Sequence, residues 1–149
     1  MQPTADVLVV DDDQPTVDFI SEALADEGYR VRALADASSA LAAVEADQPD
    51  VILLDLRMPG IDGVDVFQLL HDRGLDTMPI ILMTADNHAM QELITQGVKF
   101  ILFKPFDLET LLTCVAEALH APDETQAQGA SVLVQADPSN PPDDVHICT

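Results

Sequence analysis

The sequence predicts an α/β fold in which helices cover both faces of a five-stranded parallel sheet. Five apolar runs of strand length alternate with five helical patterns over the first 120 residues of the 149-residue chain. Four of these runs are continuously apolar, which is typical of parallel strands that are buried on both faces. Strands that alternate with short helices are joined by right-handed crossovers, and they form an open, doubly wound sheet.

The predicted strands also indicate the order of the sheet. Only the second run alternates, with Tyr29, Val31 and Ala33 on one face and two arginines on the other, so we expect a half-exposed edge strand. An edge position favours the flavodoxin-like (βα)5 order 2-1-3-4-5 over a closed barrel, which would also need about 250 residues. The five predicted strands cover residues 6–10, 29–34, 51–54, 79–83 and 100–103.

Residues that commonly start or stop a helix bound the predicted helices. The first helix begins at Asp13-Gln14-Pro15, because a capping carboxylate followed by a first-turn proline suits a helix start, and it ends at Gly28. The fifth opens at the cap Asp107 and runs to about His120. The second, third and fourth cover about residues 38–47, 64–73 and 88–96.

The charge balance excludes two classes of partner. The chain has 27 Asp and Glu against 6 Lys and Arg, a formal net charge of -21. A nucleic-acid-binding protein needs a clustered cationic face, and an anionic membrane surface would repel this chain. The N-terminus has no secretory pattern, and no apolar run approaches the roughly 20 residues that span a bilayer. We therefore expect a cytoplasmic protein that binds neither nucleic acid nor a membrane.

The composition changes after residue 120. The last 29 residues hold four of the ten prolines and no Lys or Arg, which is typical of disorder. We predict a folded domain over residues 1–120 and an acidic, Pro-rich, disordered tail over 121–149, in which residues 131–135 are strand-like. Because the tail is too short for a DNA-binding effector domain, we expect output through protein contacts. Cys114 and Cys148 have no metal-binding or redox spacing, and Cys114 is expected to pack as a small buried hydrophobe.

Polar side chains follow four of the five predicted strands, at the carboxyl end of each. Asp11, Asp12 and Asp13 follow the first strand, Asp55 the third, Thr84 the fourth and Lys104 the fifth. In a doubly wound sheet, ligands bind outside the carboxyl ends of the strands, where the strand order reverses. The sequence therefore predicts that acids, a hydroxyl and a lysine converge at one edge.

Each residue type at this edge has a chemical use. Carboxylates that lie within a few ångströms repel one another, and they all stay ionised only beside a cation. Oxygen ligands of this kind suit Mg²⁺, with Mn²⁺ as an alternative. An ionised aspartate can attack a phosphoryl group to form an acyl phosphate, while a metal and a lysine neutralise the charge of the transferring group.

Four motifs resemble the receiver domain of two-component response regulators, in particular stand-alone, chemotaxis-regulator-like receivers, over about residues 5–120. They are Val9–Asp13, Leu54–Gly63, Met83–Ala85 and Phe103–Phe106. The resemblance implies that Asp55 is the phosphoacceptor and takes its phosphoryl group from a phosphohistidine. It also implies that Asp11, Asp12, Asp55 and the backbone carbonyl of Arg57 bind Mg²⁺.

The resemblance assigns the remaining site residues as well. Thr84 matches the switch hydroxyl, and Lys104 matches the lysine that pairs with the phosphoryl group and precedes a cis proline. Gly60 and Gly63 suit a turn that needs unusual backbone angles. The chain departs from the family at Ile101, where Tyr or Phe is common, so Phe103 is a neighbouring candidate for reporting the switch.

The resemblance further implies partners. The expected phosphoryl donor is a sensor histidine kinase or a histidine phosphotransfer protein, and the expected output partner is a downstream effector protein. Phosphorylation would switch a surface formed by the fourth helix, fifth strand and fifth helix, with homodimerisation left open. We expect autophosphorylation and autodephosphorylation but no turnover of an external substrate, so the chain is not expected to be an enzyme.

Two alternatives remain open at this stage. A degenerate receiver would act only as a binding module, and Ile101 is the departure that keeps this alternative. A haloacid dehalogenase-like phosphohydrolase is disfavoured, because Pro15 stands where its D-x-D-x-[TV] motif needs Thr or Val.

Overall fold

The computed structural model describes residues 5–56, 63–75, 78–86, 88, 90–95, 97–119 and 146–148. Five strand–helix units follow one another, and a sixth strand lies near the C-terminus. The elements are β1 (Asp6–Val10), α1 (Gln14–Asp26), β2 (Arg30–Leu34), α2 (Ala37–Ala46), β3 (Val51–Asp55), α3 (Gly63–Asp72), β4 (Ile80–Thr84), α4 (Met90–Thr95), β5 (Phe100–Phe103), α5 (Leu108–Leu119) and β6 (His146–Cys148).

The sheet has the order β2-β1-β3-β4-β5-β6, and every neighbouring pair is parallel. The predicted flavodoxin-like order of the first five strands is confirmed, with β2 at one edge. The prediction of five strands is corrected to six, because β6 pairs with the free edge of β5.

The sixth strand falls within the segment that the composition marks as a disordered tail. Residues 146–148 form a strand, and the other residues of the predicted tail lie outside the described residues. The tail is polar on average, so its composition does not indicate that these three residues form a strand. They contact an apolar neighbour only in the folded sheet. The strand-like patch at 131–135 lies outside the described residues.

Two apolar layers hold the helices against the sheet. Because strand side chains alternate between faces, Leu8 and Val10 enter one layer and Val7 and Val9 enter the other. Helices α2, α3 and α4 cover the first layer, whereas α1 and α5 cover the second. Because the helices cover the two faces of the sheet, they do not cover the carboxyl ends of β1, β3 and β4, which lie together at one rim.

Carboxylate caps begin three of the helices at their N-termini. Asp13 caps α1 by accepting a hydrogen bond from the Thr16 N–H, and Asp36 caps α2 in the same way from Ser39. Asp107 accepts from the Thr110 N–H at 2.8 Å. The predicted start of the first helix and the predicted cap of the fifth are both confirmed, and these hydrogen bonds lower the pKa of Asp107.

Candidate functional site

The buried polar side chains of the described residues all lie at one rim of the sheet. Asp11, Asp55 and Thr84 are 1%, 6% and 2% exposed, at the carboxyl ends of β1, β3 and β4. Buried carboxylates are costly unless they are paired, so a fold rarely places two of them together without a counter-charge. This rim is therefore the strongest candidate for a functional site.

Lys104 supplies a positive charge at this rim. Its Nζ atom donates to Asp11 Oδ2 at 2.9 Å and to Asp55 Oδ1 at 3.1 Å. The loop that carries Lys104 is held against β4, because the Lys104 N–H donates to the Thr84 carbonyl at 2.8 Å. The Lys104–Pro105 peptide is cis, as the sequence resemblance implies. One lysine thus contacts two carboxylates that lie far apart in the sequence.

Asp12 completes a cluster of three carboxylates. Oxygens of Asp11, Asp12 and Asp55 all lie within 4.8 Å of one another, and Asp12 is exposed to solvent. Oxygen ligands at this spacing, with an open side for water, are what Mg²⁺ prefers in proteins. The donor set therefore fits a hard divalent cation.

The site is electrostatically unbalanced without such a cation. Burial, followed by the charge of Asp11, raises the pKa of Asp55 to about 6 even though Lys104 lowers it. Burial alone would lower the pKa of Lys104, but its hydrogen bond to Asp11 and the charges of Asp55 and Asp11 raise the pKa overall. Among the described residues, three carboxylates face one ammonium, and a divalent cation would neutralise the remaining charge of this group.

Thr84 connects the rim to the loop that leads to α4. Its hydroxyl oxygen accepts a hydrogen bond from the Asp86 N–H at 2.9 Å. Thr84 lies one residue beyond Met83, which is opposite Asp55 in the β3–β4 register. A hydroxyl that accepts one hydrogen bond still has its own proton to donate, so Thr84 can serve a ligand on Asp55.

The two other predicted switch residues lie on β5. Ile101 is fully buried, and Phe103, which is half-buried, packs against the same apolar layer on the side of α4. Phe103 is opposite Thr84 in the β4–β5 register. Arg57, whose carbonyl the resemblance adds to the metal ligands, lies outside the described residues, as does Gly60.

Gly63 has a role that differs from the predicted one. Its φ is not positive, so the expectation of unusual backbone angles is wrong at this position. A Cβ atom there would instead overlap the Asp55 carbonyl oxygen and lie 2.8 Å from Leu56 Cα. The Gly63 N–H also donates to the Leu56 carbonyl at 2.7 Å. Glycine is needed because the start of α3 packs directly on the backbone at the end of β3.

An apolar cavity beside Lys104 was missed in the sequence. The cavity has a volume of about 460 Å³, and its lining includes Pro15, Phe19, Lys104 and Phe106. The rings of Phe19 and Phe106 lie 6.2 Å apart, and Phe19 is 42% exposed. Phe19 could have been noticed as an apolar residue outside the inward stripe of α1, but its ring partner lies 87 positions along the printed sequence.

Comparison with known families identifies the chain's relatives. The model of the response regulator receiver domain matches residues 7–116. The DNA-binding transcriptional regulator NtrC of Proteus hauseri is 35% identical over 133 residues, covering 87% of this chain and 28% of that protein. Response regulator MprA of Mycolicibacterium vanbaalenii is 33% identical over 130 residues, covering 85% of this chain and 56% of that protein. The chain thus spans about half or less of the length of these relatives.

Solved structures show the same fold. Chemotaxis protein CheY4 of Vibrio cholerae has a TM-score of 0.73 and 32% identity, covering 78% of this chain and 100% of that chain. The receiver domain of NtrX from Brucella abortus has a TM-score of 0.72 and 28% identity, with the same coverage. Within the described part of the chain, no helix has the length and apolar character needed to span a membrane. The match over residues 7–116 and these likenesses show that the chain belongs to the receiver domain family of two-component response regulators.

Proposed function

We propose that Asp55 accepts a phosphoryl group from a phosphohistidine and that Asp11, Asp12 and Asp55 hold Mg²⁺ for this reaction. The observation that carries the proposal is the contact of Lys104 with two buried carboxylates, in a cluster whose third member is exposed. Receiver domains are not classical enzymes, and we propose self-catalysed phosphorylation and dephosphorylation with no external substrate turned over. The carbonyl of Arg57 is proposed as a further metal ligand from the family resemblance alone.

The contacts favour Asp55 over Asp11 as the acceptor. Both oxygens of Asp11 are engaged, since Oδ1 accepts from the Asp13 N–H at 2.9 Å and Oδ2 from Lys104. Asp11 is also less exposed than Asp55. An acceptor must be reached from outside by the donor's phosphorus atom, so Asp55 is better suited to attack, and Asp11 is better suited to hold the lysine and the cation.

The transfer itself exchanges one bond to phosphorus for another. An Asp55 carboxylate oxygen attacks the phosphorus atom, the bond from phosphorus to the donor's imidazole nitrogen breaks, and that imidazole leaves with a proton. Lys104 stabilises the charge that develops on the phosphoryl oxygens, and bound Mg²⁺ would supply further positive charge there. Water later attacks the acyl phosphate and releases inorganic phosphate, which restores the Asp55 carboxylate.

The proposed switch begins at Thr84. A phosphoryl group adds about 1.5–2 negative charges at pH 7, and its oxygens attract the Thr84 hydroxyl proton. Movement of Thr84 would disturb its hydrogen bond with the Asp86 N–H and thereby the loop that enters α4. Ile101 lacks a ring to rotate, so we propose that Phe103, opposite Thr84, transmits the change to the surface of α4, β5 and α5.

The apolar cavity supports a protein as the phosphoryl donor. The exposed ring of Phe19 and the ring of Phe106 border Lys104, so a partner that packs on them would bring its histidine close to the acids. We propose a histidine kinase or a histidine phosphotransfer protein as donor and an effector protein as output partner, with homodimerisation on phosphorylation as a second output. We propose a cytoplasmic location together with these partners.

Intact-mass spectrometry tests the proposal. The full chain is incubated with acetyl phosphate and MgCl₂, and we expect a mass gain of one phosphoryl group that Asp55→Asn abolishes. Asp12→Asn should weaken Mg²⁺ binding. The matched control Asp18→Asn removes an exposed acid on α1 and should leave the gain unchanged. Absence of any mass gain in the wild-type chain with Mg²⁺ bound would contradict the proposal.

A further inference from the structure

The sixth strand is attached to the domain both by pairing and by a covalent bond. β6 runs parallel to β5, with Ile147 opposite Ile101 and Cys148 opposite Leu102. Cys148 is disulfide-bonded to Cys114 of α5 across 34 positions of sequence, with a Cα–Cα distance of 5.8 Å. The expectation that Cys114 packs as a small buried hydrophobe is confirmed for its burial, but the residue is also cross-linked, which its spacing from Cys148 did not indicate.

The disulfide lies inside the apolar layer between the sheet and α5. Cys114 is 0% exposed and Cys148 is 8% exposed, and both share that layer with Leu102 and Val115. While the disulfide is intact, β6 cannot move farther from α5 than one side-chain link allows. The sulfur atoms thus hold the strand in place from the buried side.

The edge that β6 covers would otherwise be the end of the sheet. β5 pairs with β4 on one side and with β6 on the other. An uncovered edge strand presents unpaired N–H and C=O groups, which readily pair with another strand. Since β6 has three residues, its own pairing with β5 is weak, and the cross-link decides whether it stays.

We propose that β6 is a redox-controlled cover of the β5 edge, held by the Cys114–Cys148 disulfide and released by a dithiol reductant. Its effect on signalling rests on the proposed function, because β5 and α5 belong to the surface that phosphorylation is proposed to switch. In an environment rich in thiol reductants, a disulfide of this kind is typically transient and responsive to redox conditions.

The reaction is a two-electron thiol–disulfide exchange. A thiolate of the dithiol attacks Sγ of Cys148, the more exposed residue, and the Cys114 sulfur leaves and takes up a proton. The second thiol of the reductant then displaces the Cys148 sulfur, which is also protonated. The protein gains two electrons and two protons, and the dithiol becomes a disulfide.

Hydrogen exchange followed by mass spectrometry tests the cover directly. The full chain is compared in oxidised form, after reduction with dithiothreitol, and as Cys148→Ser, with thiol alkylation to report the state of both cysteines. We expect reduction to speed exchange of β5 amides by about tenfold or more while β1 amides stay unchanged. Cys148→Ser should match the reduced chain with or without dithiothreitol.

Three results would overturn the proposal. The first is that both thiols are alkylated even after treatment with an oxidant, so that no disulfide forms. The second is unchanged β5 exchange in a chain whose thiols are shown to be free. The third is an equal rise in β1 and β5, which would make the disulfide a staple of the whole domain. Asp55→Asn should show the wild-type redox response, so a failed phosphoryl transfer and a failed cover are distinguishable.

Discussion

The acidic rim lies at the carboxyl ends of the central strands, the β5–β6 edge lies along one side of the sheet, and the two regions are held by different forces. At the rim, Lys104 and the carboxylates of Asp11 and Asp55 interact through charge, and burial followed by the charge of Asp11 raises the pKa of Asp55. At the edge, apolar packing and the Cys114–Cys148 disulfide hold β6. One region should therefore respond to cations and phosphoryl groups, and the other to the redox state.

The difference shows that the ligand or reagent to which each region responds depends on which side chains are buried there. The carboxylates and the ammonium at the rim are costly to bury, and a charged ligand would change the balance between them. Sulfur atoms are not costly to bury, so their burial alone does not indicate a function. The disulfide is of interest because it attaches β6 to α5. Experiments that change one region and leave the other intact test this separation.

The largest expected effect is on the acidic rim, from Lys104→Met. Removing the ammonium takes away the only basic side chain among the described residues that contacts both Asp11 and Asp55. Loss of a single charge-stabilising donor typically slows a reaction by about 10²–10³-fold. We expect phosphoryl uptake from acetyl phosphate to slow by about that factor, as measured by intact mass at fixed times.

Lys99→Met is the matched control for this prediction. Lys99 is the other lysine of the chain, and it lies outside the acidic cluster. Its replacement removes the same charge and should leave uptake within about twofold of the wild-type rate. Equal slowing in the two variants would mean that net charge, and not contact with Asp55, controls the reaction. Both variants should keep the redox response of β5.

Gly63→Ala should have a smaller effect, mainly on stability. The new Cβ atom meets backbone atoms of Asp55 and Leu56, which cannot rotate away as a side chain would. We expect the free energy of unfolding to fall by about 1–3 kcal/mol in urea denaturation, and phosphoryl uptake to fall because the end of β3 must shift.

Gly74→Ala is a control that separates the loss of stability expected for Gly63→Ala from its loss of phosphoryl uptake. Gly74 has a φ of 69°, and a Cβ atom there would meet nothing within 4 Å. Gly74→Ala should therefore lower stability through backbone strain while leaving uptake by the folded chain unchanged. If Gly63→Ala also left uptake unchanged, close packing at Gly63 would not position Asp55.

Most of the fold, and which residues lie at the acidic rim, could be predicted from the sequence because of the pattern that buried parallel strands require. Parallel strands buried on both faces need continuous apolar runs, so β1, β3, β4 and β5 stand out in a chain with 27 acids. An aspartate, threonine or lysine at the end of such a run interrupts that pattern. The carboxyl ends of parallel strands share one rim, and the structure brings these residues together there.

The remaining features depend on contacts that no local pattern encodes. Ile147 in a polar segment is unremarkable until β5 offers an edge, and 34 positions separate the two cysteines. A glycine in the sequence does not reveal whether it is needed for its backbone angles or for close packing. At Gly63, the position of the Asp55 carbonyl shows that close packing is the reason. The contact between the tilted rings of Phe106 and Phe19 likewise follows from how α1 meets the loop after β5.

The smallest expected effect belongs to the β5–β6 edge. A cross-link between residues 34 positions apart stabilises a domain by about 3–4 kcal/mol when it constrains only the unfolded chain, that is, when β6 stays docked without it. A releasable cover behaves differently, because β6 also leaves the sheet in the reduced folded chain, so that the folded and the unfolded chain both lose the constraint. We therefore expect Cys148→Ser to change the free energy of unfolding in urea by less than about 1 kcal/mol. A loss of the full amount would mean that β6 stays docked after reduction, and the edge would then be a structural staple that differs from the rim only in its chemistry.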